Sequence, residues 1–298
     1  MTNRGVSMTQ NTKSLSRQNG RRKRPSRVMS MSLVSIALTL VAFSTVYPLL
    51  FIGFVSFMRP VDYRENPLGL PTTPTLDSLM KVWGDGSFGR YLLNSLVVVG
   101  VSVALIVVLG SLAGFAFAHL KFPGLGQTFI IALALMVLPA SLFMVPTFKV
   151  VLDLHLFNNQ LGLILVYASL QVPFGIFMMW TYFQAVPKEL FEAAHIDGAS
   201  IFRTFRSIAL PLSGPAILTL TTLTFLTLWN ELLFSLIILQ DADERTIIVG
   251  LSLLKASMGI ENTTVLAAGM LVSAIPPLLL FVLFNRQITT GLVAGAVK

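Results

Sequence analysis

Six stretches of this chain carry no charged side chain: Arg27 to Arg59, Arg90 to Lys121, Lys121 to Lys149, Asp153 to Lys188, Arg206 to Glu231, and Glu261 to Arg286. Each is long enough for the roughly 20 apolar residues that cross a bilayer as a helix. Inside lipid the backbone has no water to bond, so a crossing segment is a helix or part of a closed barrel. The apolar runs are continuous and lack the alternation of barrel strands, which selects helices. The pattern predicts an all-α polytopic membrane protein. Its six spans fall near residues 31–57, 92–118, 127–148, 161–183, 212–239 and 264–285.

Composition agrees. Only 11% of the 298 residues are charged, against about 25% in a soluble domain. Cysteine is absent, which removes disulfides, a thiol nucleophile and cysteine-ligated metal sites. His119, His155 and His195 lie far apart without ligand spacing, so no metal site is expected. No paired His, Asp or Ser arrangement suggests an enzyme. The net charge of +8 draws on "NTKSLSRQNGRRKRPSR" at residues 11–27, directly before the first apolar run. There it reads as a cytoplasmic anchor beside a membrane span rather than a nucleic-acid site. The apolar run that follows is about twice the length of a signal-peptide h-region and no cleavage site follows it. Residues 1–30 are therefore read as a basic, disordered cytoplasmic segment and residues 31–298 as the transmembrane domain.

Six crossings put both termini on one side. That side carries 14 Lys and Arg residues and the other carries 7. The larger number belongs in the cytoplasm, together with residues 187–211. Residues 59–90, rich in Pro and Gly, become an outer loop with one short helix expected near 76–83.

The polar insert "PKELFEAAHIDGASIFRTFRSIALPLSGP", residues 187–215, separates spans four and five. Pro187 suits the first turn of a helix, and Glu189 and Glu192 suit its early turns. Asp197-Gly198 signals a stop, with Gly198 in the left-handed conformation. Ser200 can cap a second helix through Arg206. Ala193 and Ala194 leave a flat face, while Leu190, Phe191, Phe202 and Phe205 offer apolar area to hold the bend against the membrane helices. Two readings fit these residues: a surface on which another protein docks, or an interfacial amphipathic loop without a partner.

The spacing Glu192-Ala193-Ala194, Gly198, Ile208 and Leu210-Pro211 resembles the cytoplasmic coupling-loop signature of the permease subunits of binding-protein-dependent ABC importers, without departure in spacing. "RYLLNSLVVVG" (90–100), "LWNELLFSL" (228–236) and "IPPLLLFVLFNRQITTGLVAGAVK" (275–298) extend the resemblance, more loosely, to the carbohydrate branch and its smaller maltose-transporter permease. The resemblance implies the type I importer permease fold in a bacterial or archaeal cytoplasmic membrane. It implies a second permease subunit in a heterodimer, two ATPase subunits and an extracytoplasmic solute-binding protein, with a sugar as cargo. It assigns ATPase coupling to Glu192, Ala193, Ala194, Asp197, Gly198, Ala199, Ile208, Leu210 and Pro211, with Glu192 meeting a basic residue of the ATPase. It makes Gly291, Gly295 and Lys298 a tail that reaches between the ATPase subunits. No G-x-x-x-x-G-K-[ST] phosphate loop occurs, so ATP and Mg belong on the partner and this chain binds no cofactor of its own. An importer of another solute, such as glycerol phosphate or a polyamine, and an ion-coupled secondary transporter are the alternatives.

Glu231, beside Trp229 and Asn230, is the single acid placed inside a span. An intramembrane acid faces the interior. It either lines the solute path, with Trp229 stacking on a sugar ring, or pairs with backbone at a helix break. Thr219, Thr222 and Thr227 are expected to bond within the helices. Gly110 and Gly114 mark a close helix contact, and Pro139, Pro146 and Pro173 are candidate breaks or kinks in spans three and four.

Overall fold

The computed structural model describes residues 26–84, 87–121, 123–257 and 263–296. The chain divides into residues 1–48 and 49–298. In the first unit the described residues belong to one apolar helix, α1 (Ser26–Ser56), which runs on through Pro48. The second unit contains every other element. The segment after α1 forms α2 (Pro60–Glu65) and α3 (Asp77–Gly84), so a second short helix joins the one predicted. Next come α4 (Ser87–His119), α5 (Leu125–Val137), a 3-10 turn (Ala140–Phe143), α6 (Met144–Asp153) and α7 (Gln160–Ala185). The polar insert forms α8 (Lys188–Ile196), α9 (Ile201–Thr204), a π turn (Phe205–Ala209) and α10 (Leu210–Leu212). The chain continues through α11 (Gly214–Trp229), α12 (Leu233–Ile238), a 3-10 turn (Ala242–Glu244), α13 (Ile247–Ser257) and α14 (Thr263–Ala296). The described residues include no strand.

Helices α1, α4, α7 and α14 are each long and apolar enough to cross a membrane. The third and fifth predicted spans are instead broken. The third bends by 99° between 125–137 and 140–153, and a 74° bend between 201–212 and 214–229 joins the polar insert to the fifth. Leu138 is extended (φ −76°, ψ 130°) because Pro139 follows it. The fifth stops at Trp229 and restarts at Leu233, so residues 212–239 are not one helix. Pro173, expected to break or kink span four, lies inside an uninterrupted α7.

The second unit is organised around α4 and α7. A Cβ added at Gly110 would lie 2.9 Å from the carbonyl carbon of Gly175, and one at Gly114 would lie 2.8 Å from the Cβ of Met179. Residue 110 faces 175 and 114 faces 179, so the two helices run parallel. Small residues let the backbones approach closely, which replaces the hydrophobic driving force that lipid cannot supply. Buried Val98, Ile106, Leu163, Tyr167, Met179, Phe183 and Leu220 fill the surrounding core. Thr219, Thr222 and Thr227 donate to the carbonyls of Pro215, Leu218 and Leu223, each four residues back.

A polar clamp closes the end of the bundle where α4 and α7 begin. Asn94 Nδ2 donates to the carbonyls of Asp243 (2.8 Å) and Arg245 (3.0 Å), and the Ile247 N–H donates to Ser95 Oγ at 2.8 Å. Arg90 pairs with Asp243. Asn158 Oδ1 accepts from the N–H groups of Gln240 (2.7 Å) and Asp241 (3.2 Å). Ser78 Oγ donates to Thr264 Oγ1, which fixes α3 to α14.

Gly100 offers a control for the seam, since a Cβ there meets nothing within 4 Å. Gly114→Leu should cost roughly 1–3 kcal/mol through overpacking, whereas Gly100→Leu should be near neutral. Thermal unfolding of the two purified variants in detergent measures the difference.

Candidate functional site

The insert lies at the end of the bundle where α4 and α7 finish, opposite the clamp. Pro187 is the residue before α8 rather than part of its first turn, and Glu189 occupies that turn. The helix stops as its sequence dictates. The N–H of Ala199 bonds to the carbonyl of Ala194 at 2.9 Å and that of Gly198 to His195 at 3.0 Å, with Gly198 at φ 74°. This paired closure requires a left-handed residue, which glycine takes without steric penalty. Ser200 Oγ then accepts from the Arg203 N–H at 3.3 Å and starts α9.

The second helix does not end at Arg206, as predicted, but widens into the π turn. The N–H of Leu210 bonds to Phe205, five residues back. Pro211 has no N–H to give, and its ring crowds the carbonyl four residues before it, so a widened turn accommodates it. Ile208 and Leu210 are half-buried along this stretch. Ser213 is fully buried at the 74° bend, where its Oγ donates to Leu210 O at 2.9 Å.

Aromatic rings attach the pair to the bundle. Phe205 lies 5.2 Å from Phe115 of α4, and Phe191 lies 4.0 Å from His119. Phe115 also meets Phe183 of α7 at 5.6 Å. Leu190 and Phe202 do not share this task, contrary to the sequence expectation. Both are exposed, as are Ile201 and, at 84%, Ile196. The cause is helical phase: Phe191 and Ala194, three apart, share the buried face. Leu190, Glu192, Ala193 and Asp197 are turned outward. The result is an apolar surface edged with carboxylates, of the kind that marks an interaction site.

Glu231 organises the break in the fifth span. Its Oε1 accepts from the Phe234 N–H at 3.0 Å, and its Oε2 accepts from the Ser235 N–H at 3.2 Å and the Tyr167 hydroxyl at 2.8 Å. The carboxylate thus caps the free N–H groups that begin α12 and ties them to α7. Trp229 turns away, stacked on Phe225 and donating from Nε1 to Ser273 O at 3.2 Å on α14. Asn230 is exposed and donates to Leu226 O. A cavity of 370 Å³ lies against this break, lined by Glu231, Tyr167, Gln171, Phe174, Ser141 and Thr227 among others. Of the three residues proposed for the solute path, Glu231 reaches that cavity and Trp229 does not. The sequence carried one signal for Gln171, an amide in an apolar span, and none for Ser141.

Gly291 and Gly295 fall on the last turns of α14, and Lys298 lies outside the described residues.

Residues 106–290 match the family of binding-protein-dependent transport system inner membrane components, and this chain belongs to that family. It is 32% identical to the arabinooligosaccharides transport system permease protein of Halalkalibacterium halodurans, over 89% of this chain and 96% of the relative. It is also 32% identical to the trehalose/maltose transport system permease protein of Thermococcus litoralis, over 91% of this chain and 98% of the relative. In fold it is similar to a crystal structure of a bacterial ABC transporter involved in the import of the acidic polysaccharide alginate. The TM-score is 0.76, with 22% identity, 88% of this chain covered and 97% of that one. The fold is therefore that of type I ABC importer permeases. The chain is a multi-pass membrane subunit of a transporter, not an enzyme, and its family works with an ATPase and a binding protein.

Glu231→Ala should remove three hydrogen bonds at once and destabilise the chain by roughly 2–4 kcal/mol. Tyr167→Phe, which leaves both backbone bonds intact, should cost about 1 kcal/mol. Melting of the purified variants tests the ranking.

Proposed function

We propose that this chain is one of two permease subunits, in a heterodimer, of an ATP-driven sugar importer in a bacterial or archaeal cytoplasmic membrane. The observation that carries the reading is the helix pair 188–212, with its outward apolar face and its aromatic attachment to both seam helices. In this reading residues 187–211 and both termini are cytoplasmic, with residues 1–30 as a basic anchor. The exposed face enters a groove on an ATPase subunit, and Glu192 meets a basic residue there. Ala193 allows close approach, Ala194 seats the helix, and Gly198, flanked by Asp197 and Ala199, sets the bend. Ile208, Leu210 and Pro211 transmit displacement to α11. Gly291, Gly295 and Lys298 form a tail that reaches between the ATPase subunits. ATP and Mg act on those subunits, and binding of ATP shifts the docked pair. The sugar assignment is supported by relatives named for arabinooligosaccharide and trehalose/maltose transport.

No atom stands within 4 Å of a Cβ added at Gly198, so space does not limit substitution there; backbone conformation does. Gly198→Val should abolish uptake in vesicles while the subunit still inserts. Gly198→Asn, which tolerates the left-handed region, should keep much of it. Equal uptake by both variants and the parent would refute the joint. Cargo is tested by titrating the cognate binding protein calorimetrically with sugars, glycerol phosphate and polyamines. A sugar ligand is expected, and tight binding of a polyamine alone would overturn the assignment.

A further inference from the structure

The two broken spans open onto one cavity. Leu138, Ala140 and Ser141 reach it from the first break and Thr227, Leu228 and Glu231 from the second. Irregular backbone is tolerated at membrane depth only where protein buries it or where it lines a cavity. Gln171 stands opposite these breaks, eleven residues into the 26-residue α7. That is about 17 Å along a helix about 39 Å long, near mid-membrane. Its side chain is half-buried and has no hydrogen-bond partner among the described residues. Its amide borders the cavity unpaired, so its donors and acceptor are available to whatever enters there.

Building on the sugar reading, we propose that this cavity is a solute-binding wall within the subunit and that Gln171 reads the solute's hydroxyl groups. The amide offers two donors and an acceptor, which matches a hydroxyl that both donates and accepts. Ser141, on the facing break, supplies a second hydroxyl. Phe174 and Tyr167 supply apolar surface suited to the C–H faces of a sugar ring. Glu231 is a positioning residue here, because Phe234, Ser235 and Tyr167 already occupy its carboxylate. That hydrogen bonding commits most of its acceptor capacity to the protein itself. The lining also contains no lysine or arginine to hold an anion. The chemistry left is that of a neutral, hydroxyl-rich solute.

The test uses the whole transporter, with both permeases, ATPase and binding protein, in proteoliposomes. The probes are radiolabelled maltose, trehalose and arabinotriose. The parent complex should take up at least one of them. Gln171→Leu should lower that uptake by on the order of tenfold, the worth of one hydrogen bond in a closed site. Gln171→Asn should restore part of it and change the ratio of rates among the sugars. Ser169→Ala, whose hydroxyl bonds to Val166 O, should leave uptake unchanged. A Gln171→Leu complex with parental rates and ratios overturns this inference and spares the sugar reading. A parent complex that takes up none of the three, with a binding protein that takes no sugar in calorimetry, overturns both. If leucine prevents assembly, Gln171→Cys gives a single thiol, because the chain has no other cysteine. Transported sugar should slow its alkylation, and alkylation indifferent to sugar overturns the inference.

Discussion

The parallel seam of α4 and α7 is the interaction on which the rest of the structure depends. In lipid, apolar side chains gain little by leaving their surroundings, so packing at backbone distance has to hold helices together. Gly110, Gly114 and Gly175 make that distance available. Because the seam is parallel, the start of both helices lies at the clamp and the end of both lies at the helix pair. The chain must travel back between them through α5 and α6. The break at Pro139 lies in that return segment, whose α5 touches both seam helices where Phe129 meets Phe117 and Trp180.

The two ends of the bundle are built from different chemistry. At the clamp, Asn94, Ser95 and Asn158 bond to backbone of residues 240–247 and fix that loop in one position. At the other end attachment is mainly aromatic: Phe115, Phe183, Phe191 and Phe205 meet ring on ring, joined by the Tyr182 hydroxyl donating to Leu212 O. Hydrogen bonds are directional, whereas ring packing tolerates small sliding movements at little cost. That contrast suits a bundle held firmly at one end and moved from the other.

The sequence made a large part of this legible. Charge-free length located all six crossings, the Asp197-Gly198 stop took the backbone form its residues require, and the Gly110/Gly114 pair marked the seam. What it hid has physical reasons. Lack of charge reports solubility in lipid and says nothing of straightness; the breaks at 138–139 and 230–232 are signalled instead by Pro139 and by Glu231 read as pairing with backbone at a helix break. Pro173 shows the reverse case, since proline inside an apolar helix need not interrupt it. Leu190 and Phe202 were assigned to the wrong side because composition lacks phase; only the positions of Phe191 and Ala194 set it. Trp229, expected to stack on a sugar ring, in the fold stacks on Phe225, and its indole N–H bonds to α14. Gln171 stands in the sequence as an amide in an apolar span, and only the folded chain brings it opposite both breaks.

The bend at Ser213 turns residues 201–212 into a lever. Twelve residues of helix make an arm about 18 Å long, so a swing of about 10° at the fulcrum carries its tip through about 3 Å. The arm stands 74° from α11, so a sideways push on the tip becomes a torque at the base of a span. A small stroke outside the bilayer can in this way tilt a helix within it, without any bond in the seam having to break.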